Sequence, residues 1–118
     1  MQEHKILRYE IWQAVLPVIE DSHVQNGRRP VIVVSNDMSN AHSPLVTVIP
    51  LTSNTGKCRL PTHVLLKVKG LRVISLALCE QIMTIDKRYL THYMGRVRDP
   101  QDRLALNRAM SIQLGMTA

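Results

Sequence analysis

The arrangement in this chain best suited to chemistry is an arginine held at the mouth of a strand. In NGRRPVIVVSND (26–37), an Asn-Gly turn delivers Arg28 and Arg29 to Pro30, and four β-branched residues follow. The residue before a proline is pushed towards extended geometry. Arg29 is therefore expected where a loop becomes a strand, its guanidinium at the rim while residues 31–34 are buried. A rigid cation in that position suits an anion; the plain alternative is a surface arginine paired with a carboxylate. Other chemistries find little support. His4, His23, His42, His63 and His92 are scattered, with no HxxxH or HxH pair at metal spacing, so neither a metal nor a cofactor is expected. No Gly-rich phosphate loop, GxSxG elbow or Cys-His pairing is evident in the sequence. What remains is a basic rim with hydroxyls, amides and a loop histidine, His23.

The elements that must position this rim read mainly as strands. RYEIWQAVL (8–16) sets Ile11 and Val15 on one side and Trp12, Ala14 and Leu16 on the other, the alternation of a strand. Residues 18–29 are polar and lack helical periodicity, which predicts a long loop of the kind that often carries function. VIVVSN (31–36) reads as a short strand buried on both faces and bounded by the polar cluster NDMSNAHS. LVTVIPLTSN (45–54) makes the next strand, in which Pro50 is expected to mark a bend that re-aims Thr52. NTGKCR (54–59) is a turn, THVLLKV (62–68) and VISLALCEQI (73–82) are strands, and Glu80 and Gln81 emerge at the polar end of the second. TIDKRYL (84–90) reads as a helical turn and THYMGRV (91–97) as a last strand. Asp99-Pro100 opens a C-terminal helix, Asp99 as N-cap and Pro100 at the first helical position. Leu106, Met110 and Leu114 line one face of it, for core or dimer packing. Short strands closed by one helix predict a small barrel with a helical appendage.

At 118 residues the chain is one domain with room for a real core. No apolar run approaches the roughly 18 residues of a membrane span, and the N-terminus lacks the apolar region of a secretory signal, so a cytoplasmic protein is expected. Cys58 and Cys79 are expected as free thiols. A net charge of +6 and a pI near 9.8 point to a polyanionic partner. With only Tyr9, Trp12, Tyr89 and Tyr93 as aromatics, a nucleic acid would have to be held mostly by charge and hydrogen bonding and little by stacking.

RYEIWQAVLP, QNGRRPVIVVSND, VIPLTSN, LPTHVLL and LCEQIMTIDKRYL, in this order and spacing, resemble the MazF/PemK family of toxin endoribonucleases over residues 8–95. The resemblance implies a small β-barrel of the Src-homology-3 type that forms a homodimer. The implied activity is metal-independent, sequence-specific cleavage of single-stranded RNA, inhibiting translation and growth, and restrained by a labile antitoxin. Arg29 and Thr52 match the family's catalytic arginine and threonine. Gln25, Ser53 and Gln81 fall where family members approach RNA, while His63 matches a position expected to be structural. Cleavage through the ribose 2′-hydroxyl gathers negative charge on a pentavalent phosphate, which a fixed guanidinium and a short hydroxyl donor can stabilise.

The chain departs from the family where Val24 replaces a loop acid. Any proton-transfer role for that acid is lost, and His23 next door is the candidate base or acid. Two other readings keep the same barrel: a gyrase poison resembling CcdB, which would need neither Arg29 nor Thr52, and an RNA-binding homologue with impaired catalysis. An antitoxin for so basic a surface would need an acidic, disordered segment that folds on binding.

Overall fold

The computed structural model describes residues 5–56 and 59–116; His4 and Cys58 lie outside them. The elements are β1 (Glu10–Leu16), β2 (Gly27–Val33), α1 (Asp37–His42), β3 (Leu45–Thr52), β4 (His63–Leu66), β5 (Ser75–Leu78), β6 (Met83–Asp86), β7 (Leu90–Arg96) and α2 (Pro100–Gln113), with 3-10 turns at Cys79–Gln81 and Lys87–Tyr89. All strand pairs are antiparallel, in the order β4-β5-β3-β2-β1-β7 with β6 also on β3. The protein is thus mainly β with a C-terminal helix. Its barrel-like sheet is open, since no ladder joins β4 to β7 among the described residues. The loop 67–74 lies against β7 instead. There a Cβ on Gly70 would come within 1.9 Å of the Met94 carbonyl oxygen, and one on Gly95 within 2.7 Å of that of Lys69.

The expected double burial of β2 is present. Ile32 and Val34 enter one cluster with Ile11, Ile49, Leu51 and the α2 residues Leu106 and Met110. Val31 and Val33 enter a second with Trp12, Ala14, Val46 and Val48. A strand whose alternate residues feed two cores needs apolar side chains throughout, which is why this run shows no polar alternation.

Pro50 sits inside β3 opposite Val31, and just beyond it the strand takes β5 as its partner. Leu51 faces Ala77 but Val48 faces Met83. Three steps along β3 therefore correspond to six along its partner. The excess is the 3-10 turn Cys79–Gln81, which interrupts what is otherwise one strand and lifts Glu80 and Gln81 out of the ladder.

Several expectations are corrected. NDMSNAHS is no mere boundary: Asn36 caps α1 by accepting from Ser39 N at 2.8 Å, and buried Asn40 binds Ser35. In TIDKRYL the first three residues belong to β6, and only Lys87–Tyr89 turns helically. The C-terminal helix starts as expected, with Asp99 Oδ1 accepting from Gln101 N. Leu106 and Met110 pack within the chain, but Leu114 lies at the helix end and is 54% exposed, because the helix runs out past the core there. Cys79 is a free, buried thiol.

Candidate active site

The first seven-residue strand ends at Leu16, which pairs with Gly27 across the β1–β2 hairpin. Between them runs the loop 17–26. Gly27 has φ +71°, a left-handed turn that glycine adopts at little cost and that swings the chain from loop into strand. Two residues on, Arg29 pairs with Ala14 of β1, and its Nε donates to the Asn26 carbonyl at 2.9 Å. That bond folds the stem of the side chain back against its own turn and restrains the guanidinium. No carboxylate pairs with Arg29 among the described residues.

β2 and β3 are in register at Val31 and Pro50. That is the last pair of the ladder, and Arg29 and Thr52 each lie two residues beyond it, Thr52 at the end of β3. Pleat alternation assigns both to one face. Thr52 is buried, and its Oγ1 accepts from Asn54 N at 3.2 Å, leaving the hydroxyl proton to be donated elsewhere. Arg28, Arg29 and Ser53 line a 360 Å³ groove with Leu51, Arg72 and Ser75. No acidic residue among those described lines it.

The loop is fastened from the far side of the sheet. Gln81 Oε1 accepts from Gln25 N at 2.7 Å, and its Nε2 reaches the His23 carbonyl at 3.5 Å. The better half of that amide is thus engaged with loop backbone. The structure brings Gln25 and Gln81 together, puts Arg29 and Thr52 each two residues beyond the last β2–β3 pair, and leaves His23 exposed on the loop.

Sequence reasoning passed over the group that holds Gln81 in place. Glu80 accepts from Thr62 Oγ1 at 3.0 Å and from His63 Nε2 at 2.8 Å, while His63 Nδ1 accepts from Leu60 N at 3.2 Å. With Nδ1 an acceptor, the proton resides on Nε2, so a neutral His63 donates to Glu80. His63, expected to be structural, makes both of its ring contacts within the chain. It joins β4 to the 3-10 turn. Burial, aided by the neighbouring Glu80 charge, pushes the Cys79 thiol up to about 12. The signal for this network lay in THV and CEQ, but their pairing is visible only once β4 and β5 are in register. Among the described residues no three His, Cys, Asp or Glu gather as metal ligands, and no helix is long and apolar enough to cross a membrane.

The class of protein is thus an open, barrel-like antiparallel sheet with a C-terminal helix and a cationic groove at the β2 rim. The chain matches, over residues 7–114, the family described as "PemK-like, MazF-like toxin of type II toxin-antitoxin system". It belongs to that family. Similar solved structures include an endoribonuclease in complex with its cognate antitoxin from Mycobacterial species, 24% identical, covering 96% of this chain and 98% of that one at a TM-score of 0.76. The Mycobacterium tuberculosis toxin MazF-mt6 is 25% identical, covering 92% and 99%, with a TM-score of 0.75. MazF from Deinococcus radiodurans is 22% identical, covering 97% and 100%, with a TM-score of 0.79.

Proposed function

We propose that this toxin is an endoribonuclease that cleaves single-stranded RNA, mRNA in the cell, without a metal ion. The observation that carries the reading is the groove lined by Arg28, Arg29 and Ser53 with no acid among the described residues, next to which β3 ends at Thr52. The solved relatives named as endoribonucleases support it. In the reaction the ribose 2′-hydroxyl attacks the adjacent phosphorus, the O2′–P bond forms and the P–O5′ bond breaks. The products are a 2′,3′-cyclic phosphate and a 5′-hydroxyl. Arg29 stabilises the charge on the non-bridging oxygens, and Thr52 donates its hydroxyl proton to hold the phosphate in line. His23 takes or gives the proton in place of the acid that Val24 replaces. Gln25 and Ser53 contact the RNA.

The partner that restrains the enzyme is a cognate antitoxin with an acidic, disordered segment, acting in the cytoplasm on a homodimeric toxin. A similar structure of an endoribonuclease in complex with its cognate antitoxin supports that class of partner.

The test is to incubate the protein with a long single-stranded RNA in excess EDTA beside Arg29→Ala. Discrete cuts with cyclic-phosphate ends are expected. A preorganised donor of this kind is worth roughly 2.7–4 kcal/mol, so the variant should be about 10²–10³-fold slower. Full cleavage by the variant refutes the role of Arg29, and no cleavage by the wild type refutes the activity.

A further inference from the structure

The loop 67–74 and the strand it packs on carry a concentration of positive charge that the catalytic reading does not use. Three grooves meet around this loop. The one beside Arg28 and Arg29 shares Leu71, Arg72 and Val73 with a second, which in turn shares Lys67, Val68 and Lys69 with a third, a 640 Å³ groove over β7. Arg96 and Arg98 line that third groove. Arg28, Lys67, Lys69, Arg72, Arg96 and Arg98 thus form a continuous cationic path leading away from Arg29.

None of these six cations pairs with a carboxylate among the described residues. Three arginines off the path are engaged: Arg8 with Asn107, Arg88 with Asp86, and Arg103 with the Val97 carbonyl. Arg96 Nε, like Arg8 Nε off the path, is buried without a hydrogen-bond partner, a costly state unless something supplies an acceptor. The two carboxylates of the path, Asp99 and Asp102, stand only at its far end, and Asp99 is spent capping α2. Like charges gathered round one loop repel each other, and a polyanion laid along them relieves that repulsion.

We propose that this path is a second RNA subsite, a phosphate track that binds the strand flanking the cleaved bond. The inference rests on the endoribonuclease reading and adds where the rest of the substrate lies. Two features favour RNA over an acidic peptide. The path is continuous with the groove beside Arg29, so one strand can occupy both. Tyr93, 42% exposed, lines the path and offers ring surface on which a base can stack, its edge-to-face contact with Trp12 fixing the ring. Phosphate contacts carry no sequence information, so the track raises affinity for long RNA of any sequence and leaves the choice of cleavage site to the loop 17–26.

The test compares wild type with the triple variant Lys67→Gln, Lys69→Gln, Arg98→Gln, all at exposed positions. Binding of uncleavable 2′-O-methyl RNA is followed by fluorescence anisotropy, using one oligonucleotide of about 20 residues and one of about 6, the short one filling only the groove beside Arg29. Each phosphate contact in a single strand contributes about 0.7 to the slope of log affinity against log salt, so three lost contacts lower it by about two. Over a fourfold rise in salt the wild type should then lose about twentyfold more affinity for the long RNA than the variant does. Affinity for the short RNA, and cleavage of a short substrate, should be unchanged. The charge-preserving triple Lys67→Arg, Lys69→Arg, Arg98→Lys should behave as wild type, which excludes a folding defect as the cause. Equal salt slopes on the long RNA overturn the proposal, as does an equal loss on short and long, or an acidic peptide binding the track while RNA does not. A wild type that cleaves neither substrate refutes the endoribonuclease reading alone, because the binding comparison still decides the track.

Discussion

Replacing Gln81 by alanine separates two roles that its position allows. In the structure Gln81 Oε1 accepts from Gln25 N at 2.7 Å, a contact 56 residues apart in sequence that ties the loop 17–26 to the 3-10 turn. A partly buried hydrogen bond of this kind contributes a net ~0.5–1.5 kcal/mol, so its loss should raise the open population of the loop about two- to thirteenfold. Hydrogen exchange of the Gln25 amide should accelerate by that factor, while amides in the core of β2 keep their protection. Cleavage should fall by no more than the same factor, far less than the loss expected at Arg29. Gln81→Glu sharpens the test. Glutamate keeps the oxygen that accepts from Gln25 N and loses only the long contact to the His23 carbonyl. A latch therefore tolerates glutamate better than alanine. A residue whose amide donates directly to RNA shows the reverse order, since a carboxylate repels phosphate. Unchanged Gln25 exchange in Gln81→Ala, or glutamate worse than alanine in cleavage, would refute the latch.

Two further outcomes follow from the packing. Gly70→Ala drives a Cβ to 1.9 Å from the Met94 carbonyl at φ +105°; the overlap should cost about 1–3 kcal/mol and lower Tm by roughly 4–8 °C per kcal/mol, and a thermal scan indistinguishable from wild type would contradict it. Cys79, pushed from 9.0 to about 12 mainly by burial, holds its proton in the folded state where the unfolded chain releases it. The stabilisation is whole below pH 9 and is lost as the pH climbs from there towards 12. Urea midpoints from pH 8 to 11 should therefore decline more steeply for wild type than for Cys79→Ala, with parallel curves counting against it.

The rim was legible because proline and glycine punctuate it. Pro30 fixes the backbone after Arg29, Asn26-Gly27 demands a turn, and a β-branched run admits few readings other than a strand. The cap of α2 was legible for the same local reason, with Asp99 and Pro100 adjacent. What escaped was the product of pairing. Nothing within TID distinguishes the end of a turn from a strand until β3 lies alongside it. The helix α1 has six residues, of which only Asn40 is buried, so no apolar stripe announces it. Gln81 read as a strand end facing RNA, and its partner, a backbone amide in the loop 17–26, was hidden because it is distant in sequence. The link from His63 to Glu80 was hidden in the same way.

The ladder that closes the loop 17–26 has an engineering consequence. Leu16 and Gly27 are paired partners, so the ten intervening residues enter and leave from two fixed, adjacent points on strands whose side chains feed both cores. Among the described residues their side-chain ties to the rest of the domain are Gln81 and Arg29, and both grip backbone atoms, which any replacement sequence also possesses. The loop is therefore an exchangeable cassette. Reading heads of different preference could be grafted between the same two posts while Arg29 and Thr52 stay where the sheet holds them.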